Sequence, residues 1–223
     1  MIFGPFSLNL DRLKIDNLQI TIEAKINHFW GKNGVGKSTL MNLIIQELEK
    51  SNISFCYINQ NYRQNWFWWL TVRENLELAM NSSSNQYYHY SKIEQLPEYS
   101  ANKSWLEPLI ELNSKQIDFS KNNELDSISL SGGQLQRVLL FRELMLKPKF
   151  VFLDEAFSAL DKKITTELIN WLLMEQKKEN FTIISISHSP EIIQQMPGQI
   201  FELSQNETKL LQIHKISKLT ANI

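Results

Sequence analysis

The sequence predicts an α/β fold, with a mostly parallel central sheet interrupted by an inserted helical region. Three observations carry this. Apolar strand-length runs alternate with amphipathic helical stretches toward both ends of the chain. A glycine-rich turn joins the run Ile26 to Trp30 directly to a helical pattern. A four-residue apolar run, Phe150 to Leu153, ends on two consecutive acids, Asp154 and Glu155.

The elements follow in order. Phe6, Leu8 and Leu10, then Leu18, Ile20 and Ile22, alternate with polar neighbours at the period of half-buried strands. Ile26 to Trp30 is a short strand running into Gly31. Leu40, Leu43, Ile44 and Leu48 form one face of a helix over 38–50. Ile53 to Ile58 is the next strand and carries the single cysteine, Cys56, as a core thiol. From about 61 to 130 the pattern turns helical and aromatic-rich. A helix follows Ser131, with Leu135, Val138, Leu139 and Arg142, and Pro148 helps end it. After the strand Phe150 to Leu153 come a helix over 164–178 and the strand Thr182 to Ile186. Ile200 to Leu203 and Lys209 to Ile213 form a closing hairpin around Gln205-Asn206-Glu207. This reads as one domain, 1–223, with a core lobe of 1–60 and 131–223 and a helical subdomain over about 61–130.

Composition narrows the function. The 23 Lys+Arg balance 24 Asp+Glu, with no basic stripe, which argues against nucleic acid as a partner. No apolar stretch is long enough to span a bilayer, and the N-terminus lacks a signal-peptide pattern, so a cytoplasmic location is expected. Glycine is scarce: seven in 223 residues is about 3%, against a usual share of roughly 7%. Five of the seven fall in two clusters, Gly31/Gly34/Gly36 and Gly132/Gly133.

The first cluster lies in Gly31-Lys32-Asn33-Gly34-Val35-Gly36-Lys37-Ser38, which fits G-x-x-x-x-G-K-[ST] between a strand and a helix. Gly34 and Gly36 allow the backbone angles that turn successive N–H groups inward as an anion nest. The helix start adds partial positive charge. Lys37 is then expected to reach the β- and γ-phosphates of a nucleotide, Ser38 to coordinate Mg²⁺, and Thr39 to contact the α-phosphate side. Asp154 and Glu155 leave the C-terminal edge of a buried strand, where ligands bind in open α/β sheets. Asp154 is expected to hold Mg²⁺ through its water shell, and Glu155 to act on the attacking water.

The second cluster, Leu130-Ser131-Gly132-Gly133-Gln134 with Gln136 and Arg137 after it, resembles the signature of the ABC ATPases, the nucleotide-binding subunits of ATP-binding-cassette transporters. The resemblance covers nearly the whole chain. It implies a P-loop NTPase fold of ABC type, with an antiparallel β-subdomain that is reduced here, because Gln60 follows Lys37 by only 23 positions. It implies ATP and Mg²⁺ as cofactors, ATP hydrolysis, and a head-to-tail dimer with itself or a homologous subunit. In that dimer Ser131, Gly132, Gly133 and Gln134 grip ATP in trans, opposite Gly31, Asn33, Gly34, Val35, Gly36, Lys37, Ser38 and Thr39. Gln60 resembles the family's glutamine-loop contact to Mg²⁺, Asp161 its dimer-interface loop, and His188 its switch histidine, acting with Glu155 and Lys37 in catalysis. Ala156 replaces the proline common after the glutamate. For the aromatic that stacks on adenine, Phe6 is the choice, with Phe3 behind it.

The run Trp66-Phe67-Trp68-Trp69 has two readings: a docking site for a transmembrane permease subunit, or packing within the helical subdomain. The permease would hold the chain on the inner face of the membrane. Two rival functions stand beside transport, a non-transport ABC ATPase and a nucleotide-gated regulator or scaffold. Cargo, and import against export, are left open.

Overall fold

The computed structural model describes residues 1–59, 66–67, 70–80, 92–112 and 130–217. Gln60, Trp68 and Trp69 lie outside the described residues. The described residues form two compact units. The first falls within Met1–Gln60, Pro148–Ser158 and Thr166–Ile223, and the second within Asn61–Lys147 and Ala159–Thr165. Residues 131–147 and 159–165, placed with the core lobe by the sequence, group with the helical unit instead.

In the first unit, β1 (Ile2–Leu10) and β2 (Leu13–Thr21) pair as an antiparallel hairpin. A six-stranded sheet holds β3 (Ile26–Trp30), β4 (Phe55–Asn59), β5 (Phe150–Asp154), β6 (Thr182–Ile186), β7 (Gln199–Gln205) and β8 (Leu211–Ile216) in the order β4-β5-β6-β3-β7-β8. All neighbours are parallel except the β7–β8 edge hairpin. The fold is therefore α/β with a mostly parallel sheet and a small antiparallel one. Between α1 (Lys37–Lys50) and β4 no further strand intervenes, which is the reduction expected from the short spacing.

Burial explains the strands. Phe150, Val151, Phe152 and Leu153 are all buried, as a central parallel strand covered on both faces requires. The helix α1 buries Leu40, Met41, Ile44 and Leu48 against a core that also contains Phe29, Phe152, Ile184 and Phe201. Cys56 is a buried thiol, as expected.

Strand order sets up chemistry. Because β4, β5, β6 and β3 are adjacent and parallel, their C-terminal ends share one edge of the sheet. Asn59, Asp154, Ile186 and Trp30 end those strands, so the segments that follow β3, β5 and β6 emerge side by side. These segments carry Gly31 to Ser38, Glu155 and His188.

In the second unit, α2 (Val72–Met80), α3 (Pro97–Leu112) and α4 (Gly132–Met145) pack on one another, with a 3-10 turn at Ile93–Gln95. Leu135, Val138, Leu139, Leu140, Phe141, Leu144 and Met145 are buried around most of α4, the pattern of an interior helix. Trp105 meets Phe141 edge-on at 5.6 Å, and the Arg137 guanidinium lies 4.2 Å from the Trp105 ring centroid. The helices α5 (Lys162–Glu179) and α6 (Pro190–Gln195) complete the fold. Among the described residues no helix is long and apolar enough to cross a membrane.

Candidate functional site

The phosphate loop is built around an unusual helix start. Gly36 caps α1 in the left-handed region, at φ 107°, with no side chain accepting from the first turn and no acid within it. The N–H groups of that turn and the positive end of the helix dipole are thus left for an anion. Lys37 is 6% exposed and donates from Nζ to the carbonyl oxygens of Gly31 at 2.8 Å and Lys32 at 3.0 Å. Burial lowers its pKa from the ordinary lysine value, and the charges of Glu155 and Asp154 oppose that shift.

A cavity of about 420 Å³ gathers Asn33, Gly34, Gly36, Lys37, Ser38 and Thr39 with Glu155 and His188. The elements bring these together from three separate stretches of sequence, as the strand order dictates. His188 Nε2 lies 3.0 Å from Glu155 Oε1, both side chains about one-third exposed. Leu10, Arg12 and Leu13 also line this cavity, from the end of β1, the hairpin turn and the start of β2. The hairpin turn is tied down from the far end of the chain. Gln205 Nε2 donates to Arg12 O at 3.2 Å, Lys209 Nζ donates to Asp11 O at 2.6 Å, and Lys14 N–H donates to Lys209 O at 2.9 Å.

Phe6 does not take the base-stacking place. It is 8% exposed and packs in the core with Phe3, which is 1% exposed, so neither ring faces the cavity. The alternation that marks β1 as a strand does not say which face meets the core, and here the face with Phe3 and Phe6 does. Val35 also points into the core, and Gly31 serves Lys37 through its carbonyl.

Asp154 ends β5 beside Asn59 of β4. Its Oδ2 accepts a hydrogen bond from the Tyr57 hydroxyl at 3.0 Å, a contact the sequence reading missed. Burial, together with the neighbouring Asp154 charge, pushes the Tyr57 pKa up to about 12, so the phenol remains a donor. Asn59 Oδ1 is buried with no hydrogen-bond partner among the described residues. Hard oxygen donors at Ser38 and Asp154 suit Mg²⁺, which takes one or two protein oxygens and completes its shell with waters and phosphate.

The remaining predicted residues lie in the second unit. Ser131 caps α4: its Oγ accepts from Gln134 N–H at 3.2 Å, and its N–H donates to Gln134 Oε1 at 2.8 Å. Gly133 sits so close to Ile164 that a Cβ would meet Ile164 Cγ2 at 2.4 Å. Asp161 Oδ1 accepts from Ile164 N–H at 2.9 Å, a local capping bond at the start of α5. Trp66 is buried, whereas Phe67 is 41% exposed. The fully buried Asn75 holds the backbone at Phe67, accepting from its N–H and donating to its carbonyl.

Comparison with known proteins bears on the family and the fold. Residues 15–158 match the profile of the family described as ABC transporter. A methionine import ATP-binding protein MetN from Bartonella henselae is 29% identical over 211 residues, covering 90% of this chain and 60% of that protein. An energy-coupling factor transporter ATP-binding protein EcfA from Malacoplasma penetrans is 31% identical over 164 residues, covering 71% of this chain and 56% of that protein. The chain thus spans less than two-thirds of the length of these relatives. A solved nucleotide-free ATP-binding cassette from an ABC transporter shares the fold, with a TM-score of 0.62, 18% identity and coverage of 96% of this chain and 90% of that one. With its phosphate loop, signature sequence and strand order in place over a matching profile, the chain belongs to the ABC transporter family.

Proposed function

We propose that this chain binds and hydrolyses ATP as the nucleotide-binding subunit of a membrane transporter. The observation that supports this most is the cavity in which the uncapped, acid-free start of α1 meets the Glu155–His188 pair.

The chain's own residues divide the work. In the structure Lys37 spends its hydrogen bonds on two loop carbonyls, and on ATP binding it exchanges them for the β- and γ-phosphates. The amides around Gly34 and Gly36 cradle the phosphate oxygens. Ser38 and Asp154 hold Mg²⁺, with Gln60 as a further contact. The bound ion neutralises phosphate charge. Glu155 positions the attacking water and draws on its proton, and His188 holds Glu155 in place through Nε2. Leu10 and Arg12, rather than Phe6, offer the surface for the base.

The signature at the start of α4 completes the site from a second copy or a paired homologue. Ser131, Gly132, Gly133 and Gln134 then meet the γ-phosphate in trans, and Asp161 lies in the interface loop. The permease docks in part through the Trp66 to Trp69 region, and this places the chain on the inner face of the membrane. The name of the Bartonella relative favours import over export.

The test is nucleotide binding by the wild type and Lys37→Ala. Loss of a charge-assisted contact of about 1.5–3 kcal/mol weakens ATP binding by roughly one to two orders of magnitude. Equal ATP affinity in the two proteins would remove the phosphate-loop assignment.

A further inference from the structure

We propose that Tyr57 is a positioning residue for the metal-carrying carboxylate: its hydroxyl, donating to Asp154 Oδ2, sets the orientation in which Asp154 meets the Mg²⁺ of bound nucleotide. The proposal rests on the nucleotide reading above.

The bond follows from the way β4 and β5 pair. The two strands run parallel with Tyr57 opposite Phe152 and Asn59 opposite Asp154, so Tyr57 and Asp154 are diagonal neighbours. Alternation places Phe55, Tyr57 and Asn59 on one face of β4, and Phe150, Phe152 and Asp154 on the matching face of β5. Strand side chains lean along the strand direction. The same diagonal lean occurs one step earlier, where Phe55 stands opposite Phe150 yet meets the Phe152 ring edge-on, with centroids 6.0 Å apart and planes at 81°. Phe152 stacks on Phe150 at 6.3 Å, and Phe150 takes Phe3 edge-on at 5.8 Å. Tyr57 is the next member of this aromatic face. Its polar tip falls at the sheet edge where the carboxylate stands.

A phenylalanine at 57 would prolong the apolar face equally well. What the hydroxyl adds is a partner for Asp154, whose carboxylate makes no other hydrogen bond among the described residues. Without it the half-buried carboxylate is free to turn. A Mg²⁺ shell demands near-octahedral geometry, so a carboxylate that must first be oriented toward the ion's waters holds that shell less well. Asn59, opposite Asp154 in the register, also turns its side chain to the Tyr57 hydroxyl, while its buried Oδ1 has no hydrogen-bond partner among the described residues.

The experiment compares the wild type and Tyr57→Phe in binding a non-hydrolysable ATP analogue, AMP-PNP, in EDTA and across a Mg²⁺ series. The expected result is equal affinity in EDTA, with a roughly tenfold rise in the Mg²⁺ concentration that gives half of the metal-dependent gain. In an Asp154→Asn background the same substitution should add nothing. An unshifted Mg²⁺ dependence in Tyr57→Phe overturns the proposal alone, as does an equal weakening with and without metal. A wild-type chain that binds no AMP-PNP overturns the nucleotide reading and this proposal together.

Discussion

Glu155 Oε1 stands 3.0 Å from His188 Nε2, and the glutamate reaches it from a left-handed backbone at φ 52°. A non-glycine residue in that region costs about 1–3 kcal/mol and persists only where its surroundings hold it. Here they do so from both sides. Glu155 N–H donates to Ile186 O at 3.0 Å, while Ser158 donates to Glu155 O from its N–H at 3.1 Å and its hydroxyl at 2.9 Å. The kink immediately after β5 separates two adjacent acids. Asp154 meets Tyr57, and Glu155 turns into the cavity toward His188.

His188→Ala should leave ATP binding near the wild-type level and lower phosphate release by about 10²-fold, the smaller end of the range for losing a proton-transfer partner. The imidazole touches Glu155 and takes no part in the phosphate-loop bonds, so affinity and turnover should separate. Phosphate release alongside equilibrium nucleotide binding checks this. A parallel loss of both would place His188 in binding instead.

Gly36→Ala should disturb fold and site together. The added Cβ would meet Leu13 Cδ2 at 2.9 Å at a residue whose φ of 107° side chains rarely adopt. The strain is about 1–2 kcal/mol, which should appear as a melting-temperature loss of a few degrees. ATP affinity should fall as well, because the displaced amides are the ones proposed to cradle the phosphates. A variant that melts and binds as the wild type does would contradict the geometry of the loop.

Much of this site was legible in the sequence. The strands β3, β5 and β6 read as apolar runs because central parallel strands are buried on both faces. Their ends could therefore be located, and with them Lys37, Glu155 and His188. Phe6 was misread because alternation reveals the faces of a strand but not which one meets the core. Leu10 and Arg12 carried no signal, since their place beside the phosphate loop depends on Gln205 and Lys209, which reach the hairpin from the other end of the chain. Tyr57 left a faint one: a hydroxyl-bearing ring two residues before Asn59, on a strand that ends beside the carboxylates. Strand order, which sequence does not state, turns that into a contact.

His28 should make stability depend on acid. The ring is fully buried on β3, with Nε2–H donating to Met196 O at 2.7 Å and Nδ1 unpartnered among the described residues. Burial lowers its pKa below the ordinary value of 6.5. Above that value both folded and unfolded forms are neutral, and the group has no pH effect. As pH falls below 6.5 the unfolded chain takes up the proton first, so stability drops by up to about 1.4 kcal/mol per pH unit until the folded pKa is reached. Denaturant titrations from pH 7.5 to 5 should show this slope, and His28→Gln should reduce it. An unchanged slope in the variant would assign the acid sensitivity to other groups.

In the proposed mechanism Glu155 activates the water that attacks ATP held between two copies or paired homologues, and Glu155→Gln removes that one function while keeping the shape of the side chain. Mixed with ATP and Mg²⁺, the variant should keep nucleotide affinity, release no phosphate above background and accumulate as an ATP-bound dimer in sedimentation. The wild type under the same conditions should turn ATP over and return to its nucleotide-free assembly state. Phosphate release by Glu155→Gln at the wild-type rate would contradict the account.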